Sequence, residues 1–167
     1  MSQSVLIETK PLDIDRSLLI VVGAHLRAEV FDRPVAYRLR DRIRGWIDGR
    51  TRRGEWIDVA QSGLDIMVCT DLWYLNNLDL MERPSIVIGA PGVNAASAWL
   101  AGRIPAALTL DGSLQIHLDL ELTTLKSCVW GVNPSATHDA LSLFERKYLD
   151  RFLLRAHGEP VEESAAP

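Results

Sequence analysis

A glycine turn followed by small polar residues is the part of this sequence best suited to face a ligand. Residues 84–105 read PSIVIGAPGVNAASAWLAGRIP, an apolar run, a glycine-proline turn and a helix of small residues. The first N–H groups of a helix lack partners within the helix and attract anions. The pattern predicts a small anionic ligand bound by Gly89, Gly92, Asn94 and Ser97. The alternative is a purely structural turn in which Asn94 or Gly92 caps the helix.

Candidate acid–base residues lie at the ends of other predicted elements. Asp71, His25 and His138 would meet at the carboxyl edge of a parallel sheet, which is where open α/β folds bind ligands. Asn133 and Thr137, next to another glycine turn, would add ligand-binding groups. One functional hypothesis is therefore a small hydrolase or transferase acting on a phosphorylated or nucleoside-like substrate.

Stronger catalytic signatures are missing from the sequence. Neither Ser97 nor Ser135 lies in a Gly-x-Ser-x-Gly elbow, and there is no P-loop and no Gly-x-Gly-x-x-Gly dinucleotide fingerprint. His117, Asp119 and Glu121 alternate along one strand, but a solvated edge strand explains them better than a metal site. We expect no metal and no cofactor. The favoured hypothesis is a non-catalytic α/β module that binds itself, another protein or a small ligand.

Tryptophan and arginine residues supply the evidence for a partner. The sequence contains 5 tryptophans, a residue type enriched among interface anchors. Trp99 lies in the helix of small residues and is a candidate anchor, with core packing as the alternative. The arginines from Arg38 to Arg53 form a basic region that could hold a phosphate or an acidic partner. The acidic residues among them favour a solvated face instead.

Length and composition define the class of protein. The 167 residues are 47% hydrophobic, enough for one domain with its own core. We assign residues 1–155 to a single α/β domain and residues 156–167 to a disordered tail, because the composition of the tail is typical of disordered segments. The net charge of -4 argues against a nucleic-acid partner. Without an apolar run of membrane-spanning length or a signal segment, the expected location is cytoplasmic.

Apolar runs and their spacing predict a three-layer, Rossmann-like α/β fold. Its sheet has five to six mostly parallel strands, with an antiparallel edge hairpin at Asp111-Gly112. Asp32 is interpreted as the cap of the first long helix, just before Pro34. The predicted strands are Ser17–Gly23, Leu64–Thr70, Ser85–Gly89, Ala106–Leu110, Leu114–Leu120 and Cys128–Trp130. The predicted helices are Arg33–Ile47, Val93–Gly102 and Ser135–Leu154, with a loop at Gly49–Gly54. A short edge strand is predicted at Ser4–Glu8, and either a short strand or a turn of helix at Trp56–Ala60.

Two short segments resemble surface-layer and cell-wall-binding α/β domains. Residues 86–94, IVIGAPGVN, are similar to the Gly-Gly-Pro-x-x-Asn turn of those domains, with Ala90 in place of the second glycine. Residues 129–140, VWGVNPSATHDA, are similar to their later strand, glycine and helix. The resemblance implies a parallel α/β sheet.

Overall fold

Six strands form one mixed sheet in the computed structural model, which describes residues 13–55 and 64–161. The strands are β1 (Ser17–Val22), β2 (Asp65–Thr70), β3 (Ser85–Ile88), β4 (Ala106–Leu110), β5 (Leu114–Leu118) and β6 (Lys126–Gly131). Their order is β2-β1-β3-β6-β5-β4. The first four strands in this order are parallel, whereas β5 and β4 continue the sheet in antiparallel pairing. The predicted α/β fold, with a mostly parallel sheet and an antiparallel edge hairpin, is confirmed.

Helices cover both faces of the sheet. On one face lie α1 (Leu26–Arg52), α5 (Pro134–Phe144) and α6 (Asp150–Ala156), the last two joined through a π-helical turn at Glu145–Leu149. The other face carries the short helices α2 (Asp71–Leu75), α3 (Leu78–Met81) and α4 (Ala95–Leu100). A 3₁₀ turn, Ile14–Arg16, precedes β1.

Strand β1 shows why two separate cores form. All six of its side chains are buried, as expected for a parallel strand covered on both faces. Leu18, Ile20 and Val22 face α1 and the C-terminal helices, whereas Leu19 and Val21 face the short helices. Successive side chains of a strand point to opposite faces, so one apolar run serves both cores.

The first long helix differs from the prediction. It runs over Leu26–Arg52 rather than Arg33–Ile47, and it includes most of the predicted Gly49–Gly54 loop. His25 is its cap, because the His25 Nδ1 accepts a hydrogen bond from the Arg27 N–H at 3.1 Å. The interpretation of Asp32 as the cap is therefore wrong. Pro34 lies inside the helix, where it removes one N–H donor, and is not a marker of its start.

The placement of His117 on a solvated edge is also wrong. The edge strand is β4, and β5 is covered on both sides by β4 and β6. His117 is buried; its ring stacks on Trp130 at 4.8 Å between centroids and bonds to the Ile104 carbonyl. Strand β5 ends at Leu118 and β6 begins at Lys126, so both differ from the predicted bounds.

Some predictions fall partly or wholly outside the described residues. These are the elements at Ser4–Glu8 and Trp56–Ala60 and the last part of the 156–167 tail, which is described to residue 161. Within the described ranges, no helix combines the length and the apolar character needed to cross a bilayer.

Candidate functional site

Asp71 ties together the carboxyl ends of three parallel strands. It is 4% exposed, and its Oδ1 accepts hydrogen bonds from the backbone N–H groups of Ala24 and Leu72, both at 2.8 Å. Its Oδ2 accepts the N–H of Ala95 at 2.6 Å. Ala24 follows β1, Asp71 follows β2 and Ala95 follows the turn after β3. The carboxylate thus fixes the relative positions of three loops.

Asn94 and Ser97 lock the glycine turn after β3. Asn94 caps α4, its Oδ1 accepting the N–H groups of Ala96 and Ser97 at 2.9 and 3.3 Å. Its Nδ2 donates to the carbonyl groups of β1 and β3 at Val21 and Ile88. The Ser97 hydroxyl donates to the Gly89 carbonyl at 2.6 Å. These contacts match the structural alternative for the turn, since its polar side chains are engaged by the backbone.

The two histidines of the predicted acid–base set lie in different places. His25 is exposed and uses its Nδ1 to cap α1. His138 is exposed on α5 and lines a groove of about 300 Å³ between α1 and α5, the helix groove. Asp71 bonds to backbone N–H groups and to neither histidine. Asp71, His25 and His138 therefore do not form one hydrogen-bonded constellation.

The helix groove collects part of the predicted basic region. Arg38 and Arg42, one turn apart on α1, face His138 and Ser142, one turn apart on α5. Arg42 is paired with Glu145 at 3.0 Å. Other arginines between Arg38 and Arg53 pair with surface carboxylates, as a solvated face would: Arg40 and Arg44 with Asp41, and Arg50 and Arg53 with Glu55.

A small crevice opens between the ends of β3 and β6 and is called the carboxyl-edge crevice. Its volume is about 40 Å³, and it is lined by Arg27, Phe31, Asp32, Ala90, Val93, Gly131, Val132, Asn133, Pro134 and Thr137. The predicted residues Asn133 and Thr137 lie here, where Asn133 caps α5 and the Thr137 Oγ1 accepts the Gly131 N–H at 3.0 Å. The gap on the other side of β3 is closed, because the Val93 carbonyl packs directly on Gly23.

Asp32 is the unusual group of this crevice. It is 6% exposed, and within the described residues its carboxylate has no hydrogen-bond partner and no ion pair within 4.0 Å. Burial raises its pKa from 3.8 to about 6, and the charge of Arg27 opposes this rise. The Asp32 Oδ2 lies so close to Gly89, whose φ is +112°, that a Cβ there would be 2.7 Å away. Glycine is therefore required beside the carboxylate.

A larger groove lies at the opposite ends of the strands and is called the amino-edge groove. Its volume is about 330 Å³, in the range of small-molecule sites. Its walls are mainly apolar, and its lining residues are Leu78, Met81, Glu82, Trp99, Leu100, Arg103, Ile104, Thr124 and Lys126. Leu78 and Trp99 are 78% and 38% exposed, so large apolar surfaces face the opening. Arg103 lies over the Trp99 ring at 4.3 Å.

Lys126 is the cationic group that lines this groove within the strand layer. It is only partly exposed, and burial together with the nearby charge of Arg83 lowers its pKa from 10.5 to about 8. The charge of Glu82, which lines the same groove, opposes this shift only in part. Its Nζ donates to the Arg83 carbonyl, lies 3.4 Å from the Ser85 hydroxyl and is 6.0 Å from the Tyr74 ring centroid. Among the described residues, no carboxylate lies within 4.0 Å of this ammonium. One of its three N–H donors remains available to a ligand.

The sequence carries a signal for both Asp32 and Lys126. Asp32 shares the buried stripe of α1 with Ala28, Ala36, Leu39 and Ile43, and a carboxylate on an apolar stripe indicates a special position. Lys126 directly precedes the buried run 127–130 of β6, and a charged side chain at the start of a buried strand also indicates a special position.

Comparisons with known proteins add no family to this geometry. No protein-family model, curated protein or solved structure matches the chain. The resemblance to surface-layer domains therefore stays a prediction. Among the residues that the structure describes, no cluster of histidine, cysteine and carboxylate side chains could hold a metal ion.

Proposed function

We propose that the chain is a non-catalytic α/β module that binds an amphipathic carboxylate, an apolar body with one carboxylate group, in the amino-edge groove. The observation that carries the proposal is Lys126, a cation partly withdrawn from water with no carboxylate in ion-pair contact among the described residues. A charge taken out of water is costly unless a counter-charge accompanies it. A bound carboxylate supplies that counter-charge.

The walls of the groove suit the apolar part of such a ligand. Leu78, Met81, Leu100 and Ile104 provide aliphatic surface, and Trp99 adds an aromatic face at the opening. Covering this surface removes it from water, which is worth roughly 25 cal/mol per Å² of apolar area. The ligand body therefore contributes affinity and Lys126 fixes its orientation.

A single carboxylate fits Lys126 better than a phosphate dianion does. Lysine offers a point charge, and two of the Lys126 donors already face the Arg83 carbonyl and the Ser85 hydroxyl. Phosphate groups are held by several donors, often by the forked guanidinium of arginine. The Arg103 guanidinium donates a hydrogen bond to the Trp99 carbonyl at 2.5 Å and lies over the Trp99 ring. It is therefore already engaged by Trp99 at the opening of the groove.

Thermal unfolding with matched additives tests the proposal. Decanoate and 1-decanol share an aliphatic chain and differ in charge. A ligand at a hundred times its dissociation constant stabilises the fold by about 2.7 kcal/mol. We expect decanoate to raise the unfolding temperature more than decanol does. Lys126→Met should abolish this difference and the exposed control Lys147→Met should keep it. Equal effects of both additives on the unmodified chain would overturn the proposal.

The second candidate function is recognition of a phosphate ester in the helix groove, as expected for a phosphorylated substrate. The observation that favours it is that Arg38, Arg42 and His138 line one groove of about 300 Å³, in which Arg42 also pairs with Glu145. Phosphoserine titrated against wild type and Arg38→Ala, with serine as the neutral control, tests it. Equal responses to phosphoserine and serine would exclude phosphate-ester recognition in the helix groove.

Self-association and a cytoplasmic location stay predictions from the sequence.

A further inference from the structure

We infer that the carboxyl-edge crevice receives the guanidinium tip of an arginine from a partner protein, with the Asp32 carboxylate as its acceptor. This site is at the other end of the strands from the amino-edge groove and does not depend on the proposed function. Its first argument is the unmet hydrogen-bonding capacity of Asp32. An ionised carboxylate can accept about four hydrogen bonds, yet Asp32 is 6% exposed and accepts none from the described residues.

The size of the crevice restricts what can enter it. A volume of about 40 Å³ admits only the narrow end of a group and excludes a whole drug-sized ligand. The group next to Asp32 must donate N–H or O–H hydrogen bonds, and a cation is preferred by a carboxylate. A flat, forked guanidinium on a slender side chain meets both requirements.

The surface around the opening indicates that the arginine comes from a larger partner. Phe31 and Val132 line the crevice and are 47% and 62% exposed. Leu26 and Val30, on the same first turns of α1, are 77% and 56% exposed. The apolar rim formed by Phe31 and Val132 can be covered by residues that flank an arginine in a protein. An arginine side chain can stack on an aromatic ring such as that of Phe31, which lines the crevice.

Arg27 is the nearby charge that acts on Asp32. It is the only charged residue besides Asp32 among the described residues that line the crevice. Its charge favours the ionised form of Asp32, although the two side chains are not within 4.0 Å of each other. Arg27 is exposed and would compete with a partner's arginine for the same carboxylate.

Titration with two tripeptides followed by NMR tests the inference. The probes are acetyl-Leu-Arg-Leu-amide and the same peptide with citrulline, which has the shape of arginine without its charge. We expect the arginine peptide to shift the amide signals of Gly89, Val132 and Thr137, and the citrulline peptide to bind about tenfold or more weakly. Asp32→Asn should abolish the preference, Arg27→Ala should strengthen arginine binding, and the exposed control Asp41→Asn should change neither.

Two results would overturn the inference. Equal binding of the arginine and citrulline peptides would show that the charge of Asp32 does not contribute to peptide binding. If neither peptide binds the unmodified chain, the inference is wrong and an internal water is the partner of the carboxylate. The NMR spectrum of Asp32→Asn checks that this variant is folded. A crevice of about 40 Å³ has room for such a water.

Discussion

The Asp71 Oδ2 accepts a hydrogen bond from the backbone N–H of Ala95 at 2.6 Å. Asp71 directly follows β2 and Ala95 begins α4, so this bond joins two segments that are distant in the sequence. With the bonds from Ala24 and Leu72, all three described partners of this carboxylate are backbone N–H groups. Asp71 thus holds the carboxyl edge together instead of facing the crevice beside it. The side chains of Asn94 and Ser97 on the glycine turn likewise bond to backbone groups.

Asp71→Asn should destabilise the fold by about 2–3 kcal/mol. Asparagine keeps one acceptor oxygen and places an amide donor against a backbone N–H, which leaves a buried donor unsatisfied. Denaturant unfolding measures the free-energy difference. The control is Asp79→Asn on the exposed side of α3, which should change stability by no more than about 0.5 kcal/mol. Equal values for the two variants would show that Asp71 does not tie the loops.

Gly23→Ala should destabilise the fold by about 3 kcal/mol or prevent folding. A Cβ at Gly23 would meet the Val93 carbonyl oxygen at 1.8 Å, so the turn after β3 would have to move. Gly45→Ala is the matched control, because that glycine is exposed in α1 with no atom within 4 Å of a new Cβ. It should stabilise the helix by about 0.5–1 kcal/mol. Unfolding temperatures of the pair measure both effects, and similar shifts would contradict the close packing.

Asp32 should make the fold less stable as the pH rises from about 4 to about 6. Its folded-state pKa of about 6 exceeds the ordinary 3.8, so the folded chain binds more protons than the unfolded chain over this interval. The difference of about 2 pKa units destabilises the fold at pH 7 by about 3 kcal/mol, since each unit is worth about 1.4 kcal/mol. Asp32→Asn should flatten this part of the pH–stability profile and stabilise the fold by about 1–2 kcal/mol at pH 7, since a buried amide has its own cost. A profile unchanged by Asp32→Asn would show that the carboxylate is not desolvated.

Lys126 should produce the opposite trend at alkaline pH. Its folded-state pKa of about 8 lies below the ordinary 10.5, so the folded chain binds fewer protons between these values and stability rises with pH. Lys126→Met should remove this rise and stabilise the fold at pH 7 by about 1–3 kcal/mol, after solvent screening of a partly exposed group. The Arg83 carbonyl keeps the hydrogen bond from the Ser85 hydroxyl in the variant. If Lys126→Met destabilises the fold at pH 7, the burial of the Lys126 charge without an ion pair does not destabilise the unmodified chain, and this prediction is wrong.

The fold class could be predicted from the sequence because local patterns determine it, whereas the strand order could not. The apolar run of β1 and the Asp111-Gly112 turn between β4 and β5 specify a buried strand and a hairpin without long-range information. The candidate sites depend on contacts distant in sequence. Asp32 meets Gly89 and Lys126 meets Arg83 only after the strands have assembled, so neither could be located by spacing alone.

Calorimetric titration of decanoate into the chain and into Lys126→Met, at pH 7 and low salt, tests the amino-edge groove most directly. We expect saturable binding to the unmodified chain, at least about tenfold weaker binding to Lys126→Met, and unchanged binding to Lys147→Met. Trp99→Ala should also weaken binding, since it removes an apolar wall of the groove. Binding of decanoate to Lys126→Met with undiminished affinity would contradict the assignment of this groove as a carboxylate site.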